Sequence, residues 1–399
     1  MSRASREVWI VGYARTPIGK FLKSLADVEA PKLGAIAIKA ALERSGVEPG
    51  QVDEVIMGNV IQAGIGQNPA RQAAYYAGIP PQVDGYTVNK VCASGMKAIS
   101  NAASAIISGD AEIVVAGGME SMSRAPFLLT PDIRSGVKLL YEAGPPLIDS
   151  MTRDGLVNFH DGKSMIEIAE RIARAKGVTR READEFSLNS HLKAYRATTS
   201  GYFNEEITPV DILVGSRRVR LEHDEGIRPD TTLEKLSQLP PAIRGGEIIT
   251  AGNSPQLSDG AAALVLASDK AVSEYGLKPL ARILGYTWAG LDIENFPEAP
   301  IPATRKLLRK LDMRIGDFDL FEHNEAFAVS SIIVARTLGI PFEKLNIYGG
   351  AIALGHPLGA SGARIVMTLV NALRRNKLSR GLATICHGGG GAMSLALEA

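Results

Sequence analysis

Short β-rich runs recur along the chain, each bounded by glycine or polar residues: Val8–Val11, Glu54–Met57, Glu112–Ala116, Ala262–Leu266 and Ala383–Cys386. Runs of this length and composition predict strands. Between the early ones, apolar residues return at helical spacing over Leu33–Arg44 and Ala98–Ile107. Each of these segments closes on a glycine, Gly46 and Gly109, as a helix C-terminus does. Further helical patterns cover Met165–Lys176, Glu182–Ala197 and Ala328–Leu338. Strands alternating with helices are the signature of an α/β protein.

The pattern also repeats. Cys92-Ala-Ser-Gly-Met-Lys-Ala-Ile aligns with Gly359-Ala-Ser-Gly-Ala-Arg-Ile-Val, which places Ser94 on Ser361. In both halves an apolar helix follows, then a strand running into glycines, and Ile10-Val-Gly-Tyr and Ile283-Leu-Gly-Tyr open the two halves alike. A repeat this long indicates duplicated domains. From 123 to 247 the texture turns charged and irregular, which predicts a loop domain inserted into the first half. The expected division is a first core domain of residues 1–122 plus 248–273, an insertion over 123–247 and a second core domain over 274–399. Ile248-Ile-Thr-Ala-Gly-Asn is expected to return as a strand to the first sheet.

Composition narrows the function more than the fold. Lys and Arg total 44 against 43 Asp and Glu, a net charge of +1. There is no basic field for nucleic acid and no acidic tail. No apolar stretch reaches membrane-spanning length. The first residues carry no signal-peptide core, and two cysteines make no disulfide framework. The expectation is a cytoplasmic protein whose partner is a small molecule or another protein.

Four segments carry candidate chemistry. Cys92 stands where a strand-like run ends and small residues open a helix; unpaired N–H groups there favour a thiolate, the alternative being a buried structural cysteine. His356 lies in the glycine-rich Gly349–Gly362, on a turn set by Pro357, where it is either a proton-transfer base or a histidine bonded within the turn. Cys386 precedes His387 and the run Gly388–Gly391, whose N–H groups can face an oxyanion. His323-Asn-Glu-Ala-Phe reads as a helix start with Asn324 as cap. No phosphate-loop, dinucleotide or zincin motif occurs, and the six histidines and two cysteines show no metal spacing.

Taken together, Val88-Asn-Lys-Val-Cys-Ala-Ser-Gly-Met-Lys-Ala, Gly117-Gly-Met-Glu-Ser-Met-Ser, Ala251-Gly-Asn-Ser with Ser258-Asp-Gly-Ala-Ala, Asn324-Glu-Ala-Phe-Ala, Gly349–Arg364 and Cys386-His-Gly-Gly-Gly resemble the thiolase family, in order and over nearly the whole chain. That resemblance implies two like α/β domains stacked as αβαβα with the loop domain over coenzyme A, usually in a homodimer or homotetramer. It implies Cys92 as the acylated nucleophile, His356 as its activating base, Cys386 as acid and base on the second substrate, and Asn324 as holder of a catalytic water. His356 with that water would make one oxyanion hole, and the N–H groups of Cys92 and Gly388 a second. Acyl-CoA and CoA would be substrates, with no tightly bound cofactor. CoA-binding positions carried over are Arg228, His160, Lys235, Ala251, Gly252 and Ser254. Pro255 and Lys235 replace serines of the short-chain members, and Asp161 and Phe296 replace methionines beside the acyl group. The rivals are a non-catalytic acyl-CoA-binding member of the superfamily and a ketoacyl synthase, which lacks the second cysteine.

Overall fold

The computed structural model describes residues 6–131, 134, 147–214 and 217–399. The N-terminal five residues, read above for targeting, and part of the insertion lie outside them.

The main sheet contains nine strands: β1 (Val8–Arg15), β2 (Glu54–Gly58), β3 (Asp84–Val88), β4 (Ile113–Ser121), β5 (Ser258–Ser268), β6 (Ala281–Gly290), β7 (Leu320–His323), β8 (Arg380–His387) and β9 (Gly391–Glu398), with a two-residue strand at Gly19–Lys20 paired to β5. Their spatial order is β7-β8-β9-β6-β1-β5-β4-β2-β3. Strands β2 and β4 run parallel, as do β7 and β8, while the joins β4–β5, β5–β1, β8–β9 and β9–β6 are antiparallel. The two halves therefore repeat over four strands each, the edge strand β3 having no counterpart strand among the described residues. They join where β1 pairs β6 through only Trp9–Arg282 and Ile10–Ala281. Even the irregularities repeat: β1 slips register against β5 between Ile10 and Gly12, and β6 slips against β9 between Ile283 and Gly285. This is the structural content of the repeated Ile-x-Gly-Tyr. A Cβ on Gly12 would stand 2.5 Å from Ser45 Cβ, so the bulge there brings strand and helix backbones together.

Among the described residues, eight helices of eight or more residues accompany the strands: α1 (Ala30–Ser45), α2 (Pro69–Tyr76), α3 (Ser94–Ser108), α4 (Met165–Ala175), α5 (Arg180–Thr199), α6 (Pro300–Leu311), α7 (Ala328–Leu338) and α8 (Leu358–Asn376). Helices α3 and α8 pack on each other between the two half-sheets, α1 and α2 cover the outer face of the first, and α6 covers that of the second. The order is the expected αβαβα. Gly46 and Gly109 end α1 and α3 in the left-handed conformation, at φ 73° and 87°.

The contact between α3 and α8 is symmetric in the repeat. A Cβ on Gly95 would lie 2.7 Å from Ala363 N, and one on the equivalent Gly362 would lie 2.4 Å from Met96 N. Only glycine lets the two helix starts cross this closely. The Ser-Gly of each half is thus a packing device that brings the preceding residues, Cys92 and His356, to one place.

The insertion is tied to the core by a buried cation. Arg15 on β1 donates through Nε to Glu206 at 2.8 Å and through Nη1 to Asp224 at 2.7 Å. All three are nearly inaccessible to solvent, a geometry in which losing one partner would strand a buried charge. Helices α4 and α5 begin with capping boxes, Ser164 with Glu167 and Thr179 with Glu182.

The segment 248–253 does not return as a strand. The carboxylate of Glu170 on α4 accepts the amides of Glu247, Ile248 and Ile249, the last at 2.8 Å. Those N–H groups are spent on a side chain rather than a ladder, and only an isolated bridge from Thr250 to Pro241 forms.

Candidate active site

A cavity of about 300 Å³ opens where the starts of α3 and α8 meet the end of β8. Cys92, His356, Cys386 and Gly388 all face it, and its walls are otherwise mainly apolar: Met122, Leu156, Ile166, Phe296, Phe327 and Leu358 among them. Three segments far apart in sequence thus converge on one mainly apolar site.

The turn before Cys92 is constrained. Val91 sits at φ 47°, a left-handed conformation that β-branched residues rarely adopt. It is held there by Ser94, whose Oγ donates to Val91 O at 2.6 Å and accepts from Lys90 N at 2.8 Å. Such strain costs about 1–3 kcal/mol and persists where surrounding bonds over-determine it. Helix α3 starts at Ser94, two residues after the cysteine. The expected thiolate is not the resting state. Burial pushes the Cys92 thiol up to about 11, outweighing the Gly388 and Cys92 amides that pull it down. Those two amides nevertheless both point at the sulfur, as an oxyanion site built beside it requires.

His356 is fixed on three sides. Its N–H donates to Ser258 Oγ at 3.1 Å, its Nδ1 lies 2.6 Å from Ser361 Oγ, and its Nε2 lies 3.4 Å from Asn324 Nδ2. The serine decides the tautomer. Ser361 Oγ spends its single hydrogen on Pro357 O at 2.8 Å, so it can only accept from Nδ1–H. Nε2 then carries the lone pair, toward which Asn324 Nδ2 can donate at 3.4 Å. Burial, with Arg364 nearby, holds the ring pKa down at about 3, so the imidazole is neutral. Cys92 thus stands as a neutral thiol in the same cavity as a neutral imidazole.

Asn324 follows β7 and is fully buried, and its Oδ1 meets no protein donor among the described residues. Asn324 is not a helix cap: α7 begins at Ala328, after Phe327. Its neighbour Glu325 anchors the segment, accepting from Ser190 Oγ at 2.7 Å, Asn346 Nδ2 at 2.8 Å and Ile352 N at 3.1 Å. Cys386 closes the opposite wall. Burial drives its pKa well above the usual thiol range, and Cys92 adds to this. It is a protonated group, suited to giving and taking a proton rather than to resting as an anion.

The CoA positions divide. Ser254 and Pro255 line the cavity, whereas Ala251 and Gly252 do not. Gly252 packs under Leu236 and Leu239. Arg228 is exposed, its N–H donating to His191 Nδ1 at 3.2 Å. Lys235 is also exposed, with Nζ 2.8 Å from Asp230 Oδ2. His160 is not brought to the cavity; it lines a surface groove with Arg171 and residues 291–295. Asp161 instead pairs with Lys163 at 2.9 Å. Four residues further on, Ser164 and Met165 occupy the wall expected of His160 and Asp161, because the first turn of α4, rather than the loop before it, points inward. Phe296 does line the cavity, as expected.

The chain matches the thiolase N-terminal domain over residues 8–270 and the thiolase C-terminal domain over residues 277–399. It belongs to the thiolase family. An acetyl-CoA acetyltransferase of Synechocystis is 49% identical over 98% of this chain and 99% of its own length, and one of Cupriavidus necator is 47% identical over 98% and 99%. The crystal structure of the Bacillus anthracis acetyl-CoA acetyltransferase superposes with a TM-score of 0.96 at 42% identity, covering all of both chains. Human mitochondrial 3-ketoacyl-CoA thiolase superposes equally well at 38% identity. This thiolase is an acyltransferase, and these relatives give no support to the non-catalytic alternative. The sequence reading missed Ser361 and Ser258 as the groups that orient His356, although Ser361 was already marked by its place in the repeat. It also missed Glu325, which anchors the Asn324 segment through contacts with distant residues.

Proposed function

We propose that this thiolase transfers acetyl groups between coenzyme A thioesters, condensing two acetyl-CoA, or acyl-CoA with acetyl-CoA, to 3-ketoacyl-CoA and CoA, and running the reverse thiolysis. The observation that carries the reading is the convergence of two cysteines, a tautomer-fixed histidine and a glycine amide on one apolar cavity. Cys92 Sγ attacks the thioester carbon as His356 Nε2 takes its proton; the carbon–sulfur bond to CoA breaks, and CoA leaves as the thiol with the proton returned by His356. In the second half-reaction Cys386 first passes its proton to His356; its thiolate then removes an α-proton from the incoming acetyl-CoA, the carbon attacks the acyl-enzyme, and the Cys92 thiolate released takes the proton held by His356. Negative charge develops on a thioester oxygen in both halves. The amides of Cys92 and Gly388 suit one oxygen, and His356 with a water on Asn324 suits the other.

CoA enters this reading as a substrate, with Ser254 in the wall and Arg228 at the surface toward the nucleotide. A homo-oligomer fits the open edge of β3 at the end of the sheet, where a second copy could pair, and two unpaired cysteines fit the cytoplasm. Among the described residues, no helix is long and apolar enough to cross a membrane. Thiolysis of 3-ketoacyl-CoA substrates of graded chain length, followed by loss of enolate absorbance, tests activity and chain preference together. Absence of CoA-dependent cleavage at every length would refute the reading.

A further inference from the structure

Glu120 is fully buried near the end of β4, where the first half of the molecule touches the second. Its two oxygens receive four N–H bonds: Oε1 from Asn59 Nδ2 at 2.8 Å and Ile61 N at 3.2 Å, Oε2 from Val60 N at 3.1 Å and Gly359 N at 2.8 Å. All four partners donate to it, which favours the carboxylate against the burial that pushes its pKa up to about 7.

These partners pack beside the candidate catalytic residues. Val60 and Ile61 pack with Met122 and Leu358 in the apolar cluster against which Cys92 lies. Gly359 opens α8 three residues after His356. Beneath the carboxylate, main chain meets main chain: a Cβ on Gly118 would stand 1.9 Å from Gly359 O, and one on Gly359 would stand 2.5 Å from Met119 O. The interface between nucleophile and base therefore has no adjustable side chains at its closest point, and Glu120 supplies hydrogen bonds across it. A buried charge is an expensive way merely to stabilise a fold; four convergent donors give it directional precision.

We propose that Glu120 is a positioning residue for acyl transfer, a carboxylate clamp that holds the Gly359 turn of one half against the 59–61 loop of the other and so keeps His356 in register with Cys92. This rests on the reading that Cys92 is the nucleophile and His356 its base.

Glu120→Gln keeps the shape, removes the charge and turns an NH2 toward two N–H donors. With the clamp loosened, kcat for acetoacetyl-CoA thiolysis is expected to fall about 100-fold, the scale of a misplacement of about 1 Å, with KM for CoA within about twofold. The pH at which iodoacetamide alkylates Cys92 half-maximally moves upward, because the thiol then titrates without an aligned base. Glu120→Asp, which keeps the charge, restores about tenfold of the loss. A different role for Glu120 gives the opposite sign. If the carboxylate acts only as a negative charge near Cys92, the Gln variant alkylates at lower pH with kcat preserved, and the clamp is overturned. A kcat within about threefold of wild type overturns it too. Should the Gln variant not fold, Glu120→Asp decides alone: a loss of about tenfold in kcat at unchanged KM supports the clamp, and wild-type kcat refutes it. Acetylation of the wild-type enzyme is the control. Failure of the wild type to take acetyl on Cys92 sinks the nucleophile assignment, whereas normal acetylation of both wild type and the Gln variant sinks the clamp alone.

Discussion

Removing the hydroxyl of Ser361 isolates the step at which the histidine is prepared as a base. In the folded protein Ser361 Oγ accepts from His356 Nδ1 at 2.6 Å and donates to Pro357 O at 2.8 Å. Ser361→Ala leaves Nδ1–H without a partner in a buried site, which favours moving the hydrogen to Nε2, the atom that has to receive the thiol proton. A neutral hydrogen bond contributes about 1 kcal/mol net, and one to a charged group about 1.5–3 kcal/mol. The serine therefore stabilises the imidazolium formed during attack by roughly 1–1.5 kcal/mol more than the resting ring. Restoring the correct tautomer costs about another 1–1.5 kcal/mol. Together these give about 2–3 kcal/mol, or a 30- to 150-fold slower acetylation of Cys92. Rapid quench with acetyl-CoA measures that rate directly, with KM expected to stay put. Ser361→Ala acetylating within about twofold of wild type would show that the serine does not set the tautomer.

Cys386→Ala is expected to slow condensation and thiolysis by about two to four orders of magnitude, the scale of a lost acid–base group, while Cys92 still accepts acetyl; a variant that also fails to acetylate contradicts the division of labour. Lys235→Ser should leave the ionic-strength dependence of KM for CoA as it is, because Asp230 already partners that ammonium; a flattened dependence would place Lys235 at the phosphates. His323 and His356 are both held by burial at about 3, below the ordinary 6.5. Both bind fewer protons folded than unfolded, so their contribution to stability is complete above pH 6.5 and is lost as pH falls toward 3, at about 1.4 kcal/mol per pH unit for each ring. Denaturant midpoints across that window check the slope, and His323→Gln should reduce it; an unaltered slope would mean that His323 titrates freely.

The fold was legible where local pattern and tertiary need agreed. The buried strands and the glycine stops at Gly46 and Gly109 are properties of short windows, and the repeat of Ser-Gly at 94–95 and 361–362 already encoded the crossing of α3 and α8. The reading failed at Ile248–Asn253, whose β-forming sequence is overridden by Glu170, a partner nearly eighty positions away. At His160 a short loop between the π-turn at Thr152–Leu156 and α4 determines which residues face the cavity, a detail that no local window carries. That Cys92, His356 and Cys386 meet at one cavity was legible through the resemblance and their glycine-rich settings. The protonation states were not. They depend on burial and on Ser361, and they turn the expected thiolate into a neutral thiol–imidazole pair.

The central claim is that Cys92 carries the acyl group. Intact-protein and peptide mass spectrometry after incubation with acetyl-CoA tests it most directly, with Cys92→Ser, verified as folded, as the comparison. The account predicts one acetyl group per chain, on Cys92, and none on the serine variant, whose hydroxyl ionises far less readily than a thiol. Acetylation that persists in the variant, or a wild-type enzyme that turns over without acetyl on Cys92, would contradict it.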